Sequence, residues 1–260
     1  MRKLVGALPV CVVLAVTGLS LPAHSQSPYA PLPPFEAVVD QFVDVAFSNE
    51  HGPSRGIVQK WSVPPTMGFF ARPDYDAAPH LTRFDGVAAE IADLTGLALE
   101  LTPKARPVSL RVGFYPRSDF HKLPIAQDTA DVQRFLNTSA CVALTMTTSG
   151  TSGEIGTGAI VIGTDISPGL QRHCILEEFV QVLGLPNDAC HYRPSLFCED
   201  DMVNDMTPAD QILLKALYDD RIVAGTRRDN ALPLVRQVIF ELYGRFETSR
   251  SVISTVTPRL

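Results

Sequence analysis

The chain has 260 residues, 22 basic and 28 acidic, with a net charge of −6 at pH 7 and 45% hydrophobic residues. An acidic balance of this kind argues against binding to nucleic acid, whose phosphates call for lysine and arginine. The length suits one medium domain with a full core, or one domain plus extensions.

Residues 1–25 begin with Arg2 and Lys3, continue with an apolar stretch broken by Gly6, Pro9 and Gly18, and end on the small-residue site Ala23-His24-Ser25. They read as a signal peptide cut near Ser25/Gln26, too short and broken for a membrane anchor. Cys11 lies in this stretch without the small residues of a lipoprotein site. Cleavage removes two of the 22 basic residues and none of the 28 acidic ones, leaving a net charge of −8. The mature chain is therefore expected to be periplasmic or secreted, without a membrane span or a nucleic-acid partner.

The segment QSPYAPLPP is a proline-rich leader, and the helical spacing of Phe35, Val38, Val39, Phe42 and Val45 predicts a helix over 35–47. GIVQKWSVPPTMGFFAR reads as one or two short strands interrupted at Pro64-Pro65. A second helix is predicted over 80–97 and ends at Gly96. LALEL and VSLRVGFY follow as strands, the second alternating Val108, Leu110, Val112 and Phe114. Asp128 to Leu136 reads as a short helix, then CVALTMTT and GAIVIGT as a hairpin around SGTSGEIGTG. Helices are also predicted for TPADQILLKALYDD and for Ala231 to Tyr243, with a frayed polar tail from Thr248. The order predicts an α+β fold, helices stacked on one mixed sheet. The domain is expected over 56–247, preceded by a leader and helix over 26–55 and followed by the tail 248–260.

The most informative stretch is HCILEEFVQVLGLPND, residues 173–188. Ser167 and Pro168 mark a helix start and Gly184 its stop. Leu176, Phe179, Val180 and Leu183 form one apolar stripe, while Glu177 and Gln181 sit one turn apart on another face with Glu178 beside them. A Glu-Glu pair on an amphipathic helix is ordinarily a solvated face. His173 reads as a partly buried or capping residue pointing away from Glu177, and His191 as held by its own loop. The acidic run Glu199-Asp200-Asp201 lacks calcium-loop spacing.

Four cysteines remain in the mature chain, and an even number in an exported protein reads as two disulfides with three possible pairings. The favoured pairing is Cys190–Cys198, closing the loop DACHYRPSLFC, with Cys141–Cys174, tying a strand to the central helix. A four-cysteine zinc site is the alternative, though no C-x-x-C pair is present.

The spacing Glu177-Glu178-Phe-Val-Gln181-Val-Leu-Gly184-Leu-Pro-Asn187 resembles the His-Glu-x-x-His-x-x-Gly-x-x-His motif of the metzincin zinc peptidases, matrixin-like ones in particular. Further likeness lies in Trp61, in GAIVIGT as the substrate-side edge strand, in Arg193 to Phe197 as a Met-turn with Phe197 for methionine, and in MTPADQILLKALYD as a closing helix. The string C-x-x-E-E-x-x-Q-x-L-G-L-P-N-D is also similar to the signature of a bacterial family of exported proteins of unknown function. The resemblance implies a metzincin-like fold in which Glu177 and Gln181 replace the first two zinc ligands, Asn187 or Asp188 the third, and Glu178 holds the general-base position. One carboxylate and two amides are poor substitutes for three imidazoles, so no zinc is expected there.

Three readings follow. The cleft binds a peptide or envelope partner without cutting it, Glu177, Glu178, Gln181 and Asn187 forming a polar network. Alternatively, Glu178 with Glu177 serves as general acid and base of an atypical hydrolase, with a hard cation held by Glu177 and Asp188. In the third, all these residues are structural.

Overall fold

The computed structural model describes residues 31–48, 56–71, 76, 78–101, 107–123, 136–198 and 200–256. They form α1 (Phe35–Phe47), β1 (Met67–Ala71), α2 (Ala78–Thr95), β2 (Leu110–Tyr115), a short 3-10 helix (Arg117–Lys122), β3 (Cys141–Thr147), β4 (Ile155–Gly163), α3 (Pro168–Val182), α4 (Pro208–Tyr218) and α5 (Arg228–Val256). The expected signal peptide and nearly all of the expected helix at 128–136 lie outside the described residues.

The sheet order is β1-β2-β4-β3, with β1, β2 and β4 parallel and β3 antiparallel to β4. This is a mixed α+β arrangement. GAIVIGT, expected at the edge, is instead the second half of the interior strand β4, and β3 is the outer strand. The reason lies in its composition: Ile160, Val161 and Ile162 are all buried, and an apolar run covered on both faces belongs inside a sheet.

One face of the sheet carries the main core. It is continuous from α1 through α2, α3 and α4 to α5, so α1 packs into the same core as residues 56–247. On the other face Phe120, Leu136, Val142 and Val161 form a smaller cluster. LALEL contributes only a single bridge, between Leu101 and Met67. Helix α5 continues past the expected end to Val256.

Helix α3 is the element around which the others pack. The Ser167 hydroxyl accepts a hydrogen bond from the Leu170 amide at 3.2 Å, and Pro168 occupies the first helical position. Gly158 on β4 permits the close approach of α3 to the sheet, since a Cβ there would meet the Val182 side chain at 2.7 Å. At the far end the Trp61 indole donates to the Val182 carbonyl at 3.0 Å, and the Tyr218 hydroxyl to the Leu183 carbonyl at 2.9 Å. These bonds satisfy carbonyls that a helix C-terminus leaves without partners. Trp61 thus precedes β1 as a cap on α3 and lies outside the strand.

Candidate functional site

Expected as an amphipathic helix with one polar face, α3 is buried on almost every side. Its apolar stripe is wholly buried, as are Cys174, Ile175 and Val182, while Gln171, His173 and Glu178 are buried among them. From His173 to Val182 only a narrow strip bearing Glu177 and Gln181 opens outward. It forms one wall of a cleft of about 560 Å³, lined also by His173, Cys174, Glu178 and Asp188, by Ala140, Cys141 and Ala143 at β3, and by Asp200, Asp201 and Met202 of the loop after Cys198.

Among the described residues, five carboxylates and one imidazole line the cleft, and no lysine or arginine does. Two of the carboxylates are partly compensated from behind: Arg193 lies 2.5 Å from Asp201 and 3.5 Å from Asp200. Glu177 and Glu178, successive on the helix, still bring an oxygen each within 4.8 Å of one another and of the Cys141 sulfur. That sulfur is bonded to Cys174, with an S–S distance of 1.96 Å, which fastens the outer strand to α3 beside the cleft. A second disulfide joins Cys190 to Cys198. Two disulfides are compatible with an extracytoplasmic protein, and no helix among the described residues is long and apolar enough to cross a membrane.

Several site residues differ from expectation. His173 does not point away from Glu177. The two are four residues apart on one helix face, and His173 Nε2 lies 3.6 Å from a Glu177 carboxylate oxygen. Asn187 does not line the cleft; its side-chain amide donates to the Asp188 carbonyl at 2.7 Å, and Asp188 reaches the cleft instead. The polar network expected of four residues thus excludes Asn187. His191 turns outward, 2.7 Å from Asp44 on α1. The three-ligand frame of Glu177, Gln181 and Asn187 does not fit a zinc ion, because Gln181 and Asn187 are amides and Asn187 lies outside the cleft.

Outside the lining of the cleft, Asp210 is a fully buried carboxylate. It accepts hydrogen bonds from the Tyr192 hydroxyl at 2.9 Å, the Ser195 hydroxyl at 2.8 Å, the Leu196 amide at 3.0 Å and the Thr207 amide at 3.3 Å. It thereby holds the turn 193–197 against the start of α4. The Thr207-x-x-Asp210 spacing that signals a capping box was its only trace in the sequence. Burial pushes the Asp210 carboxyl above its ordinary range, and the hydrogen bonds it accepts pull it back. Burial also raises the Tyr192 phenol, which faces the same carboxylate.

The loop carrying Asp200 and Asp201 is tied back to α3 by Arg172, whose guanidinium donates to the Asn204 carbonyl at 2.6 Å and lies 2.8 Å from Asp205. Arg172 is also 3.6 Å from Glu90 on α2, whose carboxyl is raised chiefly by burial.

Residues 36–237 match the model of a family described as protein of unknown function (DUF2927). No curated protein and no solved structure matches the chain.

Proposed function

We propose, from the premise that the chain belongs to the DUF2927 family, that it is an exported binding protein on a metzincin-like scaffold, taking an extended basic segment of polypeptide along β3. The observation that carries this reading is the juxtaposition of an outer strand with an acidic cleft. Gly163 N–H donates to the Ala140 carbonyl, and in the antiparallel register this turns the backbone of Ala140, Val142 and Leu144 toward β4. The backbone groups of Cys141, Ala143 and Thr145 then face away from the sheet, and β3 pairs with no further strand among the described residues. A peptide added there gains main-chain hydrogen bonds, while alternate side chains enter the cleft. Lined by carboxylates, the cleft favours lysine or arginine and repels acidic side chains.

The test is calorimetric titration, in chelator, of short extended peptides that differ only in carrying Lys or Glu at alternate positions. The Lys peptide is expected to bind and the Glu peptide to bind at least about tenfold more weakly, a difference of roughly 1.4 kcal/mol. Ala143→Pro removes one outward N–H from an edge strand, a position where proline is tolerated, and is expected to abolish binding with the circular dichroism unchanged. Equal affinity for both peptides, or full binding by the proline variant, would overturn the reading.

A second reading, hydrolysis, draws on one observation: Glu178 is only 5% exposed, in the cleft wall beside Glu177, as suits a general acid or base. If it holds, the bound peptide is cleaved, and Glu178→Gln stops cleavage while binding persists.

A further inference from the structure

The side of β3 turned away from α3 narrows the class of peptide that this edge takes. Side chains alternate along a strand, so Cys141, Ala143 and Thr145 share the face toward α3, while Val142, Leu144 and Met146 share the opposite one. Val142 is 1% exposed within the smaller cluster, but beyond it the row leaves its cover: Leu144 is 38% exposed and Met146 63%. Their partners on β4 are the small Ala159 and Thr157. The whole strand, CVALTMT, carries no charge and no proline, the residues by which edge strands ordinarily refuse a partner. Its irregularity falls between Met146 and Thr147, so the pairing with β4 runs in register from Cys141 to Met146. An edge this apolar and regular is a template for another strand.

A residue on an added strand shares its face of the sheet with the residue opposite it. A peptide on β3 therefore sends the side chains opposite Cys141 and Ala143 toward the carboxylate-lined cleft, and those opposite Leu144 and Met146 onto the exposed apolar row. We propose that the ligand is an amphipathic β-strand, basic at alternate positions and apolar at those between, with Leu144 and Met146 selecting the apolar set. This rests on the reading of β3 as a peptide-binding edge and deepens it, since charge selects one set of side chains and apolar contact the other. A chain that alternates lysine or arginine with β-branched residues also has the period of a strand, so the pattern that fits the edge favours the extended form. A second copy of this chain, paired through its own β3, would suit the apolar row equally well, yet CVALTMT brings no basic side chain to the cleft. Antiparallel pairing of two copies would also set their acidic clefts side by side, which like charges oppose. A basic peptide relieves that same charge.

The experiment is calorimetric titration of the mature, oxidised protein with three peptides of equal length and charge. In one Lys alternates with Val, in the second Lys alternates with Ser, and in the third the Lys and Val residues are rearranged in pairs so that the two-residue period is lost. The Lys/Val peptide is expected to bind about tenfold more tightly than the Lys/Ser peptide, the gain that two cross-strand apolar contacts supply, and at least about tenfold more tightly than the rearranged one. Leu144→Ser and Met146→Ser should each shrink the ratio of Lys/Val to Lys/Ser affinity, and together bring it near one. Met146 is the more exposed of the two, so its variant decides the matter if Leu144→Ser fails to fold. Equal affinity of the wild type for the Lys/Val and Lys/Ser peptides, or a ratio that survives Met146→Ser undiminished, would overturn the proposal while leaving a basic peptide on β3. Failure of every Lys peptide to bind would overturn both readings. Sedimentation of the free protein as a dimer that Met146→Ser disperses would assign the apolar row to a second copy and overturn the proposal as well.

Discussion

At the scale of single residues, the buried Asp210 stands out: its two oxygens accept from four groups in two separate segments. In Asp210→Asn one oxygen becomes an NH2 group, which cannot accept from the hydroxyls or the amides it faces. Stranding buried donors in this way is expected to lower stability by about 1–3 kcal/mol, measured by urea unfolding. The pH dependence has a definite sign. The carboxyl is raised by burial, so it holds its proton more readily folded than unfolded. Its contribution is complete below the unfolded value of 3.8 and is lost as pH rises through the folded one. The stability gap between wild type and Asp210→Asn should therefore be widest near pH 4 and narrow toward pH 7. Asp210 was legible in the sequence only as a helix cap, since nothing local reveals that Tyr192 and Ser195 fold back onto it. His173 is a different case: its burial was legible, but its position 3.6 Å from Glu177 was not, because the motif's ligand positions follow Glu177 while His173 lies one turn before it.

Among the elements, the helices were the most legible, because cap residues and a 3.6-residue period are local properties. Phe35–Phe47 and the starts of α3 and α4 lie where their spacing and caps place them. Strand partnership was not legible, because it depends on residues far apart in sequence: LALEL has the composition of a strand but meets the sheet at one bridge. The burial of α3 was only half legible. One apolar stripe can be read from the sequence, but a helix sealed on nearly every side requires knowing what packs over its polar residues. Its C-terminal end gives a sharp prediction. Gly184 has φ +121°, and a Cβ there would meet the Gln59 carbonyl oxygen at 2.0 Å. Gly184→Ala must therefore shift either the turn or the segment that caps the helix. A loss of at least about 2 kcal/mol is expected, seen as a fall in Tm of roughly 5 °C or more by calorimetry.

For the whole molecule, the two disulfides constrain loops of very different size. Cys141 and Cys174 are 33 residues apart and Cys190 and Cys198 only 8. Loop-closure entropy then assigns about 3.5–4 kcal/mol to the first and about 2.5 kcal/mol to the second. Replacing Cys141 and Cys174 together by serine should cost more stability than replacing Cys190 and Cys198, as denaturant titration would measure. The longer link also fixes the edge strand to the central helix, so its loss is expected to weaken peptide binding beyond what the shift in stability explains. No such effect is expected from the shorter link, which joins residues within one loop.

The chain contains a single tryptophan, and that residue is the buried Trp61 whose indole closes the C-terminal end of α3. The indole emission of this protein therefore comes from one known place, on the same helix that carries His173, Glu177 and Glu178. Any ligand that draws the end of this helix inward or lets it loosen changes the surroundings of that one fluorophore. The molecule thus carries a built-in optical reporter for its own cleft, readable without a label.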